Sequence, residues 1–360
     1  MVNFTILAGG YDIFMAVYLF SSETCTLNLV NKWPTGPNCS WLSALPDNKH
    51  IIYAVNELQH GEGALQSFVV DDQGKLLVNG STVSSGGKSP PFTVALSTGE
   101  VAVVNYSGGN GRTIPTIPPG LSFLDLEPTI TFPRPVNGTS HPHMALEYRN
   151  EIFIPDLGAD TIWRLARSSP SLFGGYTIQG SIPQPQGSGP RHIAIFDDKL
   201  YTLHELSSTL TVQDIPAGPN GTSSIIASVS IIPPNPPAGA HFAAAEILIP
   251  PPSAEFPIPY IYVSNRNTGV LDPRGDAIAI FEHVNKNQPD EGLQLVRHVY
   301  TGLDQIRGME FGPSPSEYLV ASGYQGSGGV VMLRRNDTGK DMDIVARNTD
   351  ILTRTSFVWL

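Results

Sequence analysis

Cysteine is nearly absent from this 360-residue chain, which carries only Cys25 and Cys39. Two cysteines cannot build a disulfide scaffold, and their separation fits no zinc-type ligand pattern. One disulfide and two free thiols both remain open. Charge is also scarce, at 15% of residues, and basic groups are the rarer kind: 21 Lys and Arg against 32 Asp and Glu give a formal net charge of −11. Without a basic stripe to neutralise phosphates, a nucleic-acid partner is excluded. No apolar run reaches the roughly 18 residues of a membrane span. The stretch from Ile13 to Phe20 reads as a buried strand. The chain opens directly on a strand, Phe4 to Leu7, so no signal peptide is expected at its start.

Glycine (35) and proline (32) are abundant instead, which favours short strands and tight turns over helices. Seven Asn-x-Ser/Thr sequons start at Asn3, Asn38, Asn79, Asn105, Asn137, Asn220 and Asn336. Their number favours a secretory or extracellular location, with a cytoplasmic one still open. Asn38, Asn79, Asn137, Asn220 and Asn336 are the glycosylation candidates; Asn105 falls at an inward-facing strand end, where a sequon goes unused.

The decisive pattern is a repeat. Seven segments of alternating β-branched and aromatic residues end in a polar or glycine position: Gly9, Asn56, Asn105, Asp156, His204, Asn265 and Gly323. Their separations of 47, 49, 51, 48, 61 and 58 residues define a period of about fifty, the size of a four-stranded propeller blade. A short strand precedes six of the segments, for example Phe92 to Leu96, and another follows, for example Thr209 to Gln213. The first segment lacks a preceding strand, while Thr355 to Leu360 has that pattern with nothing after it. The expectation is therefore an all-β, seven-bladed propeller spanning residues 1–360 as one domain. Its ring is closed by a blade shared between the two termini, which leaves no open edge.

In such a blade the start of the innermost strand lies beside the end of the second. Polar residues at these positions must then gather at one mouth of the central channel. That places His141, His143, Arg191, His192, Glu246 and Arg307 near Asn56, Glu57, Asn105, Asp156, His204, Glu205, Asn265 and Arg266. Arginine forks bind carboxylates, and a histidine paired with a glutamate can move a proton. The expected ligand is a small anionic or lactone-like molecule, with no cofactor and no metal. Alternate residues of a strand face one side, so the two-residue spacing of His141 and His143 suits two channel-facing groups as well as a metal pair.

Several of these residues carry a family resemblance. Gly-Ser-Gly-Pro-Arg-His at 187–192, His204-Glu205-Leu206, Ser140-His-Pro-His-Met-Ala, Pro155 to Leu165, and Tyr262 to Gly269 resemble the lactonase-type seven-bladed propellers. That family includes propeller-type 6-phosphogluconolactonases and fungal carboxymuconate lactonizing enzymes. The resemblance covers essentially the whole chain and is strongest from about 140 to 285. It implies a cofactor-free reaction that forms or opens a lactone. It also implies catalytic roles for a histidine of the 141–143 pair, Arg191, Glu205 and Arg266, with His192 beside them. Asn56, Glu57, Asn105, Asp156, His204, Glu246, Asn265 and Arg307 are the expected substrate-binding groups. Two features depart from the family: His204 stands where asparagine is common, and a long proline-rich stretch runs from Ile231 to Pro259. Two alternatives keep the same fold: a cyclase of fungal secondary metabolism using the same pocket, and a non-enzymatic propeller binding a partner. The expected assembly is a monomer or weak homo-oligomer.

Overall fold

A computed structural model describes residues 2–117, 120–168 and 175–360. Among them, seven antiparallel sheets form a ring of blades. The innermost strands, in ring order, are Ser356–Trp359, Leu42–Leu45, Phe92–Ala95, Leu146–Tyr148, Pro190–Phe196, Phe242–Leu248 and Asp304–Phe311. We number blades 1 to 7 in that order. Their second strands are Asn3–Gly9, Asn48–Asn56, Glu100–Asn105, Glu151–Asp156, Lys199–His204, Ile261–Asn267 and Tyr318–Gln325. Each sheet has four strands except blade 3, whose outer position is split between Ser122–Phe123 and Ile130–Thr131.

The second strands are almost continuously apolar because neighbouring blades cover both of their faces. Every residue of Glu100–Asn105 is buried, whereas the outer strand Thr26–Pro34 is mostly exposed. The core therefore lies between blades. Leu203 and Val212 of blade 5 pack on Val263 and Phe281 of blade 6, and Ile6 and Phe20 of blade 1 pack on Val320 and Met332 of blade 7.

Blade 1 joins the two chain ends: Ser356 pairs with Gly9 and Trp359 with Ile6. Around it, Thr355 Oγ1 donates to Ser40 O at 2.7 Å, and the buried Arg354 guanidinium pairs with Asp12. Both cysteines are free thiols, Cys25 exposed and Cys39 buried, and burial pushes the Cys39 thiol up to about 12.

One strand is shorter than the sequence suggests. The inner strand of blade 4 starts at Leu146 rather than His143, with only an isolated bridge from Pro142 to Asp156 before it. The opposing Pro155 accepts from His143 N at 3.0 Å but has no N–H to return the second bond, so the ladder is broken there.

Candidate active site

The site is built on irregularities in three inner strands. Arg191 falls in the register shift between Pro190 and His192, Glu246 in that between Ala244 and Ile247, and Arg307 in that between Ile306 and Gly308. A bulge leaves its extra residue unpaired and re-aims the side chain, which turns these groups out of the regular in–out alternation. Two glycines permit it. Gly189, just before Pro190, has φ +63°, and a Cβ on Gly308 would lie 2.3 Å from Thr355 O, immediately before the adjacent inner strand.

Glu205 is the electrostatic centre. Its Oε2 accepts from Arg191 Nε at 2.8 Å and lies 2.8 Å from Arg266 Nη2. The same guanidinium groups donate to inner-strand carbonyls of blade 6, Arg191 to Ala245 O at 3.3 Å and Arg266 to Ala244 O at 3.3 Å. Burial pushes the Glu205 carboxyl upward, but Arg266 and Arg191 outweigh it and hold the group below its ordinary value. Burial, then the charge of Arg266, lowers Arg191 to about 9, which leaves it a cation at neutral pH.

A second pair adjoins the first. Arg307 Nη2 lies 3.6 Å from Glu57 Oε2, which also accepts from the Tyr11 hydroxyl at 2.8 Å. The Arg307 guanidinium sits over the rings of Tyr11 and Tyr324, at 5.4 and 5.8 Å. The three guanidinium groups share the carboxylates of Glu57 and Glu205, and Arg191 also feels the nearby Glu246 carboxylate.

Beside this cluster, three buried groups form a chain. Glu246 Oε1 lies 2.7 Å from His192 Nδ1, and His192 Nε2 lies 3.1 Å from His143 Nδ1. Burial, then the charge of Arg191, holds His143 well below the usual imidazole value; burial also lowers His192. Both rings are therefore neutral at pH 7. A carboxylate at Glu246 can only accept, so His192 carries its proton on Nδ1 and accepts at Nε2. His143 must then donate from Nδ1, which leaves a lone pair on its Nε2. His141 stacks on Tyr106 with ring centroids 4.4 Å apart, and the Tyr106 ring meets His143 edge-on at 6.0 Å.

The other sequence candidates are placed differently. Asn56 donates to Pro37 O at 3.1 Å, and Asn105 to Ser85 O at 2.8 Å. Asp156 accepts from the backbone N–H groups of His141, Gly158 and Ala159 and from Trp163 Nε1. Buried His204 lies 2.9 Å from Thr211 Oγ1 within its own blade. Asn265 Oδ1 accepts from Arg266 N at 3.1 Å. The first four tie loops and strands together, and Asn265 bonds only to its neighbour's backbone; among the described residues none of the five side chains bonds to the charged groups of the cluster. The residue after the repeat position faces the mouth instead: Glu57, Tyr106, Glu205, Arg266 and Tyr324. Sequence reasoning therefore missed Tyr106 and Tyr324, and with them Tyr11; the one-residue offset within the repeat was the available signal.

Among the sequons, Asn79, Asn137 and Asn220 are exposed, whereas the side-chain amides of Asn38 and Asn336 donate to Glu57 O and Asp343. No cluster of three or more metal-ligating side chains occurs among the described residues.

Comparison with solved structures finds the same fold in several other proteins. A candidate 6-phosphogluconolactonase from Bacteroides uniformis matches with a TM-score of 0.81 at 22% identity over 100% of both chains. A candidate from Bacteroides fragilis gives 0.82 at 20% identity, covering 99% of this chain and 98% of its own. The periplasmic gluconolactonase of Pseudomonas aeruginosa gives 0.80 at 18% identity, covering 100% and 99%. No curated protein matches the sequence. The family model for "Lactonase, 7-bladed beta-propeller" matches residues 5–358, nearly the full length, and the chain therefore belongs to that family.

Proposed function

We propose that the chain is a cofactor-free lactonase that opens, or in the reverse direction closes, the ring of a small lactone at the Arg191–Glu205–Arg266 mouth. The observation that carries this reading is buried His143, bonded through Nδ1 to His192, beside a pair of guanidinium groups bridged by the Glu205 carboxylate. Exposure divides the roles of the arginines. The side chains of Arg266 and Arg307 are 11% and 15% exposed and can touch a ligand, whereas Arg191 at 2% holds Glu205 from behind. Arg266 and Arg307 bind the substrate anion or carbonyl and stabilise the oxyanion that develops on it. His143 Nε2 takes a proton from the attacking water. Each of the three guanidinium groups already faces a carboxylate, which suits a neutral or monoanionic lactone better than a dianionic phosphate.

Glucono-1,5-lactone, its 6-phosphate and a muconolactone are the substrates to assay. We expect turnover of at least one, with the non-phosphorylated compounds preferred, and a loss in kcat of roughly 100- to 10,000-fold in His143→Gln. A wild-type protein that consumes none of them, or a variant as fast as wild type, overturns the reading.

A further inference from the structure

His143 poses an electrostatic problem as a base. If it kept the proton it accepts, an imidazolium would stand among Arg191, Arg307 and Arg266, and burial already disfavours that charge. The hydrogen-bonded chain offers another destination. Glu246 is 5% exposed, and its second oxygen, Oε2, is buried with no hydrogen-bond partner among the described residues. A buried, half-satisfied carboxylate is costly, and protonation relieves that cost.

We propose that Glu246 is the terminal proton acceptor of the site, reached through His192 and His143. This rests on the lactonase reading above. As water attacks the acyl carbon, its proton goes to His143 Nε2, the Nδ1 proton of His143 passes to His192 Nε2, and the Nδ1 proton of His192 passes to Glu246. When the ring C–O bond breaks, the leaving oxygen takes the proton from His143 Nε2, and the chain runs backward to restore Glu246 as a carboxylate. One proton is lent and one returned, so both imidazoles end in their starting tautomers and neither becomes a cation.

The surroundings fit this role. Trp41 and Phe92 enclose His192, with centroids 5.5 and 5.8 Å away. The same two rings line a cavity of about 350 Å³ bounded by the inner strands of blades 1, 2, 3 and 7, together with Lys49 and Glu310. Burial, then the charge of Glu246, pushes the Glu310 carboxyl up to about 8 against the opposing effect of Lys49. Glu310 is therefore uncharged at neutral pH. Arg191, Arg307 and His143 face His192 from the other side, and Arg191 also feels Glu246.

A substrate-free measurement tests the relay. Side-chain ¹⁵N and ¹³C NMR of the wild-type protein is expected to find both His143 and His192 as neutral Nδ1–H tautomers at pH 7. An Nε2–H tautomer at His143, or an imidazolium at either ring at pH 7, overturns the proposal whether or not a lactone is turned over. The kinetic test is Glu246→Gln, whose amide oxygen still accepts from His192 but cannot take its proton. With glucono-1,5-lactone we expect kcat to fall about 100-fold, KM to change less than about 2-fold, and the multi-proton solvent isotope effect to become a single-proton one. If His143→Gln abolishes turnover while Glu246→Gln leaves kcat and the isotope effect unchanged, the relay fails and the lactonase reading survives.

Discussion

Glu205 and Asp156 occupy neighbouring repeat positions, one residue out of step, and that offset gives two carboxylates opposite tasks. Glu205 accepts from two guanidinium groups at the mouth, whereas Asp156 accepts from five donors inside its blade and the segment before it. Glu205→Gln removes the charge that keeps Arg191 and Arg266 together. A charge-assisted hydrogen bond contributes about 1.5–3 kcal/mol, so kcat/KM for the lactone is expected to fall roughly 10- to 100-fold, chiefly through KM. A cyclase working by shape alone would tolerate this change, and steady-state kinetics therefore separate the two readings. Asp156→Asn puts an N–H₂ where only acceptors fit. Thermal denaturation should reveal a loss of about 2–3 kcal/mol in stability. The folded variant should keep its KM, since Asp156 does not touch the cluster.

At the scale of the strand, the bulges decide where the charges point. Gly308→Ala tests this. Its Cβ would meet Thr355 O at 2.3 Å, so the inner strand of blade 7 must shift and carry Arg307 with it. Overpacking of this kind costs about 1–3 kcal/mol, and KM should rise together with the loss of stability. A variant with lower stability but unaltered KM would show that the bulge does not set the position of Arg307. These features mark the limit of what the sequence reveals. The fifty-residue period and the unmatched strands at the two termini were legible because each blade repeats the same burial pattern. The gathering of Arg191, Glu205, Arg266, Arg307 and His143 followed from which strand ends share a mouth. The bulges at Arg191, Glu246 and Arg307 were not legible, because register depends on which backbone groups pair across strands rather than on side-chain period. For the same reason Asn56, Asn105, Asp156 and His204 read as ligand groups when their side chains are turned into the blade. Pro155, visible in the sequence, was the one cue that the strand at His143 would break.

For the whole molecule, buried titratable groups of opposite kind set the dependence of stability on pH. Burial lowers His143, His192, His283 and His298 and takes His204 to about 4. The unfolded chain binds protons at these positions below the ordinary value of 6.5 and the folded chain does not, so stability falls as pH drops from 6.5. His204 alone loses about 3 kcal/mol by pH 4. Burial also raises Asp276 to about 6 and Glu310 to about 8. There the folded state holds the proton more tightly, so stability is complete at acid pH and declines as pH rises from the ordinary carboxyl value to the folded one. Between about 4.5 and 6 the two sets oppose each other. Above 6.5 the histidines are neutral in both states and Glu310 acts alone, at about 2 kcal/mol between pH 6.5 and 8. The melting temperature should therefore peak near pH 6.5 and decline on both sides. Glu310→Gln is expected to remove the alkaline decline while leaving the acid one, because an amide at that position is neutral throughout. A wild-type curve that stays level from pH 6.5 to 8 would mean that Glu310 is already ionised in the folded ring, with two carboxylates charged beside the histidine relay.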